Sequence, residues 1–258
     1  MKKFTKVVSL MLAAILMMAL CTACGGDSKK DDSTITFGTN AEFPPFEYVT
    51  AKGVIGEFDG IDMAIAKQIG EDNGMEAKIE NMEFDSLLLA LENGQVDAVI
   101  AGMTINDEKK DAVDFSKPYY TAKQVMIVKE DSDIQKASDM ADKKIVVLQG
   151  FTGETCVNEM GYKYESFKKG TEAIMELVNG KCDVVVIDSA TAEKYVEDNE
   201  GLKIVEDNDA FEAEEYGIAV KKGNTELLDK INKSLDKMME DGTISELSAK
   251  YAESSDAE

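Results

Sequence analysis

Three short segments place polar groups directly after apolar runs. Gly102-Met103-Thr104 follows Ala98 to Ala101, and Asp188-Ser189 follows the run Val184 to Ile187. A carboxylate such as Asp188 can take charge-assisted hydrogen bonds from a cation, and hydroxyl and carbonyl oxygens add neutral acceptors. The third segment, Gln149-Gly150-Phe151-Thr152-Gly153, follows Lys144 to Leu148 and opens a helical stretch. Unpaired backbone N–H groups at such a helix start attract anions. No Gly-Lys-Ser/Thr follows, so this is not a Walker loop. Two of the segments also have a plainer reading: a strand-to-helix turn for 149–153, and a helix N-cap for Asp188.

Composition narrows the chemistry. The chain has 258 residues, with 28 cationic side chains, all of them lysine, against 51 acidic ones, no histidine and a net charge of −23. A chain this acidic lacks the basic footprint that neutralises nucleic-acid phosphates, so no nucleic-acid partner is expected. Without histidine, a histidine-based catalytic or metal site is excluded. No metal or cofactor is expected.

The elements that must position these groups alternate between strand and helix. Thr34 to Gly38 alternates as a strand, and Ile61, Ala64, Ile65 and Ile69 recur at helical spacing before the Asn73-Gly74 break. Asp85 to Leu91 reads as a short helix with Asp85 or Ser86 as N-cap and Gly94 as its stop, leading into a buried strand at Ala98 to Ala101. The phrase LENGQVDAVIAG (91–102) returns as LVNGKCDVVVID (177–188), which favours a pair of similar α/β lobes. Alternating strands and helices imply parallel sheets, whose ligands bind beyond the carboxyl ends of the strands.

The N-terminus reads as an address. Lys2, Lys3 and Lys6 precede an apolar run from Val7 to Leu20, the pattern of a secretory signal peptide. Leu20-Cys21-Thr22-Ala23-Cys24-Gly25 resembles a bacterial lipobox with Cys24 as the lipidated residue. This implies a leader at 1–23 and a lipidated cysteine with a flexible tether at 24–33. The body then sits on the outer face of the cell membrane, held by the N-terminal lipid. Cys156 and Cys182 remain for the body. One follows a strand end and the other precedes a strand start, so they are expected on opposite edges of the sheet and unbridged, although an oxidising compartment would permit a disulfide.

From Ile35 to Tyr251 the chain resembles the polar-amino-acid solute-binding proteins that feed ABC importers, with the type II periplasmic-binding-protein fold. The resemblance rests on the order of several motifs: Asn40-Ala-Glu-Phe-Pro-Pro-Phe-Glu47, Gly56-Glu-Phe-Asp-Gly-Ile-Asp62, Phe84-Asp-Ser-Leu-Leu88, Met103-Thr-Ile105, Val113-Asp-Phe-Ser-Lys-Pro-Tyr119 and Gln149-Gly150. It implies two similar Rossmann-like lobes, 34–122 plus 217–254 and 123–216, joined by crossover strands near Ala122 to Val128 and Glu215 to Val220. Ligand is trapped between them as they close.

The resemblance also assigns roles. Asp188, the Gly102 carbonyl and the Thr104 hydroxyl would take a ligand's α-ammonium, while N–H groups around Phe151 and Thr152 would take its α-carboxylate. The family's carboxylate-gripping arginine is replaced by Lys109, a point charge without the bidentate fork. Lys109 could instead belong to a charged helix face with Lys110 and Asp111. Phe43 and Phe84 would wall the ligand side chain, unless they are ordinary core. Asn40 is neutral where binders of basic amino acids often carry an acid, and Glu42 could substitute for it. The resemblance thus implies capture of a free polar L-amino acid, leaning basic, by a monomer that delivers it to an ABC transporter permease. The alternative is a secreted enzyme of the same fold, such as a dehydratase acting on a small carboxylic acid.

Overall fold

The computed structural model describes residues 33–253. The expected leader, Cys24 and the tether up to residue 32 lie outside the described residues.

Two five-strand arrays share one topology. The first runs β5 (Glu76–Asn81), β1 (Thr34–Thr39), β6 (Ala98–Val99), β14 (Ala219–Lys221), β7 (Val113–Phe115). The second runs β10 (Tyr164–Phe167), β9 (Ile145–Leu148), β11 (Val184–Asp188), β8 (Tyr120–Lys129), β12 (Leu202–Val205), and β13 (Ala213–Tyr216) pairs with β8 beyond its edge. In each array the first three strands are parallel and the rest join antiparallel. The expectation of parallel sheets therefore holds for the strands that lead to the polar segments. β8 and β14 enter from the other array and run the opposite way. A small antiparallel sheet, β2 (Glu42–Phe43), β3 (Glu47–Val49) and β4 (Phe58–Asp59), precedes the first helix.

Helices cover both faces. In order they are α1 (Ile61–Asp72), α2 (Leu87–Glu92), α3 (Asp107–Ala112), α4 (Thr152–Glu159), α5 (Gly170–Val178), α6 (Ser189–Asp198), α7 (Thr225–Glu240) and α8 (Thr243–Glu253). Covered on both sides, β9 and β11 are buried along their whole length, which explains their unbroken Val-Ile runs. Val185 and Ile187 face one core cluster, while Val184 and Val186 face a second with Met126, Val128 and Phe211. On α1, Ile61, Ile65 and Ile69 lie one turn apart and are fully buried, each contributing about 1.5–3 kcal/mol.

The helix expected over Asp85–Leu91 opens instead as a 3-10 turn, Phe84–Ser86, and becomes α2 at Leu87. Ser86 stands at the N-cap without capping, because its hydroxyl is bonded to Asp85 Oδ1 at 3.2 Å. Cys156 on α4 and Cys182 before β11 are both free, and burial pushes each thiol up to about 11. Among the described residues no helix is long and apolar enough to cross a membrane.

Candidate ligand-binding cleft

The carboxyl ends of β6, β9 and β11 bring the three polar segments together. At the end of β6, Gly102 adopts φ +51°, and a Cβ there would lie 2.8 Å from the Phe43 ring. Only glycine combines that backbone with that contact. Two residues on, Thr104 bridges to Tyr216 on β13 and meets the start of α4, where the Thr152 hydroxyl donates to Thr104 Oγ1 at 2.9 Å.

Asp188 closes β11 at 2% exposure. It occupies the N-cap position of α6, yet its side chain makes no capping bond. Instead, the Tyr216 hydroxyl donates to Oδ1 at 2.5 Å. Burial first, and the charge of Glu214 second, push the Asp188 carboxyl up to about 7 against the Tyr216 and Gln124 hydrogen bonds. A cation arriving at this carboxylate would set an opposite charge beside it and offset the like charge of Glu214.

Glu214 was not foreseen from the sequence. It lies on β13, and its carboxylate accepts from Thr104 Oγ1 at 2.5 Å and from Gln124 Nε2 at 2.6 Å. A chain of hydroxyls thus runs from Thr152 through Thr104 to Glu214. Glu214, Glu215 and Glu212 look alike in the sequence. The only signal is period two, since Glu214 and the buried Tyr216 share one face of β13 while Ala213 and Glu215 are exposed.

Lys109 lies in the last turn of α3, partly buried, whereas its neighbour Lys110 is exposed and pairs with Asp107 at 3.3 Å. Burial lowers the Lys109 ammonium, and the charges of Glu108, Glu214 and Asp188 raise it in return. The side chain therefore sits in the field of the two cleft acids and is the cation of this cluster. Opposite it, α4 begins at Thr152. The Phe151 N–H is already bonded to the Leu148 carbonyl at 3.2 Å, so the anion-accepting end of this helix falls to Thr152 and Gly153.

The aromatic residues are all brought to the cleft, with one addition. The Phe151 ring stacks on Phe84 at 4.0 Å and lies 5.1 Å from Phe43. Phe151, expected to contribute backbone alone, touches both expected walls. Asn40 is buried and donates to the Met82 carbonyl at 3.0 Å, and Glu42 pairs with Lys169 at 2.9 Å on the rim. Together with Gln149 Nε2, which donates to Asp85 at 2.9 Å, the Glu42–Lys169 pair joins the first array's side of the cleft to the second's.

The geometry agrees with what the chain is similar to. The family model for bacterial extracellular solute-binding proteins, family 3, matches residues 35–254. The arginine-binding extracellular protein ArtP of Bacillus subtilis is 34% identical over 250 residues, covering 94% of this chain and 96% of that protein. Among solved structures, the arginine-, lysine-, histidine-binding protein ArtJ of Geobacillus stearothermophilus is 34% identical, with TM-score 0.79 and coverage of 84% and 94%. An ancestral arginine-binding protein, solved with arginine and with glutamine, is 42% identical with TM-score 0.79; the arginine complex covers 85% of this chain and 98% of its own. With the family model spanning both arrays and the cleft between them, the chain belongs to the bacterial extracellular solute-binding proteins of family 3.

Proposed function

We propose that this protein captures a free polar L-amino acid, with a basic one favoured, and hands it to the permease of an ABC importer. The observation that carries the reading is the pairing of a buried acid cluster, Asp188 with Glu214, Thr104 and Tyr216, with Lys109 and the start of α4. An α-amino acid offers the complement of both halves. Its ammonium would go to Asp188, the Gly102 carbonyl and Thr104, and its carboxylate to Lys109 and the Thr152 and Gly153 N–H groups. The side chain would then run along Phe43, Phe84 and Phe151, whose ring faces attract a cation.

A basic ligand is favoured by the arginine-binding relatives and by the excess of acid around the cleft. Glu42 can join the distal end only by leaving Lys169. Capture is a population shift: a ligand touching both lobes biases them toward closure. We assign 34–122 with 217–254 to one lobe and 123–216 to the other and the hinge. The lipid anchor on Cys24, a location on the outer membrane face and a monomeric state complete the reading. We read the protein as a binder rather than an enzyme, because its cleft carboxylates converge on one cation site and its relatives bind rather than transform.

Isothermal titration calorimetry against the twenty amino acids, ornithine, citrulline and cystine tests this. Saturable one-to-one binding of a few related compounds is expected. A folded protein silent to the whole panel would overturn the reading.

A further inference from the structure

Two motif acids lie behind the cleft lining. Glu47 on β3 and Asp62 on α1 are both fully buried. Asp62 Oδ2 accepts from the Gly102 N–H at 2.8 Å and from the Tyr119 hydroxyl at 2.9 Å. Neither oxygen of Glu47, nor Asp62 Oδ1, receives a hydrogen bond from any described N–H or O–H group. Yet the two carboxyl groups lie within hydrogen-bonding reach of each other. Two bare carboxylates in contact in a dry interior repel and lack solvation. One proton between them turns that repulsion into a short O–H···O⁻ bond. The surroundings decide who holds it. Asp62 already has two donors and is pushed up to about 7, so it ionises first and Glu47 keeps the proton.

The described groups that act on the pair are Tyr119, the Gly102 N–H and, from the cleft, Asp188, with Tyr216 flanking Tyr119. All the titratable ones are acids or phenols. No lysine among them supports a second negative charge, and burial raises both carboxyl groups above their ordinary range.

We propose that Glu47 and Asp62 share one proton and that Asp62 acts as a positioning residue for ligand capture, clamping the Gly102 N–H so that the strand end keeps its cleft geometry. Its bearing on affinity rests on the amino-acid reading above. The link is short. Gly102 holds a left-handed backbone against the Phe43 ring, and the Asp62 carboxylate is the group that fixes its amide. A charged acceptor makes that bond about twice as strong as a neutral one would.

The pair also sets a pH dependence of stability. In the unfolded chain both acids titrate near 4, whereas the folded pair retains its proton to higher pH, so folding takes one up. This contribution is fully present below the unfolded range and fades as pH rises through the folded value.

The test uses the full chain with Glu47→Gln and Asp62→Asn, read by the pH dependence of the melting temperature, the amide-proton NMR shift of Gly102 and calorimetric affinity. Glu47→Gln supplies an amide donor to Asp62 in place of the acid O–H. It should keep affinity within about threefold while flattening the decline in melting temperature between pH 5 and 8. Asp62→Asn should move the Gly102 amide proton upfield and weaken binding at least about tenfold, roughly 1.4 kcal/mol. A folded Asp62→Asn protein with wild-type Gly102 shift and affinity overturns the proposal. If that variant does not fold, a Glu47→Gln protein that keeps the wild-type pH slope overturns it equally. Should the wild-type protein bind no amino acid, the functional reading falls, while the Gly102 shift and the pH slope still decide the pair.

Discussion

The phrase that recurs at 91–102 and 177–188 ends on Gly102 in the first array and on Asp188 in the second. Gly102 lies three residues beyond β6 and Asp188 closes β11, and these two strands stand third in the same order. Gly102 offers only backbone, fixed by a buried carboxylate behind it, Asp62. Asp188 is itself the carboxylate, fixed by a phenol, Tyr216. The duplicated scaffold therefore presents two acids at two depths. On the proposed reading Asp188 meets a ligand cation directly, while Asp62, beneath Gly102, acts only through the peptide it holds. A repeated fold thus yields an asymmetric site by moving one functional group a single layer inward.

Substitutions at the two ends should separate these roles. Asp188→Ala should lose roughly a hundredfold or more in amino-acid affinity by calorimetry, about 2.7 kcal/mol, because it removes a charged acceptor. Wild-type affinity in that variant would remove Asp188 from the site. Gly102→Ala should instead lower stability by about 1–3 kcal/mol, since the left-handed backbone and the Phe43 ring both resist a Cβ; chemical denaturation reads this directly. The symmetry would be sharpened by pH. Binding an ammonium requires the Asp188 carboxylate, whose free form is pushed up to about 7. Affinity should therefore rise by up to about tenfold per unit as pH climbs toward 7 and then level off, with proton release measurable in buffers of different ionisation enthalpy. Lys109→Ala should cost about tenfold, near 1.4 kcal/mol, and Lys110→Ala nothing; equal effects would make both ordinary surface lysines. Least of all, Lys169→Ala breaks only an exposed pair with Glu42 and should change affinity by less than about threefold, under 1 kcal/mol.

Most of the scaffold was legible because its signals are local. The buried Val runs of β9 and β11, the isoleucine stripe of α1 and the repeat itself each reflect a period set by one element. Asp188 was marked as the polar residue that ends an apolar run, whereas the roles expected of Thr104 and Thr152 came from the family resemblance. Glu214 and Gln124 were not legible, because they belong to the crossing strands β13 and β8, whose register against one another is set by tertiary pairing. An acid in an acid-rich stretch carries no mark of burial. The second role of Phe151 was hidden likewise: its ring meets Phe84 and Phe43 only because the two arrays come together.

The half-buried Cys156 and the buried Cys182 offer an experimental convenience. With Cys156 and Cys182 pushed up to about 11, only about one in ten thousand of either is the nucleophilic thiolate at neutral pH. Maleimide coupling should therefore pass over both. A cysteine introduced at the exposed Leu89 on α2, or at Met175 on α5, would take a dye selectively. One fluorophore on either array would then report lobe movement in a protein that keeps Cys156 and Cys182.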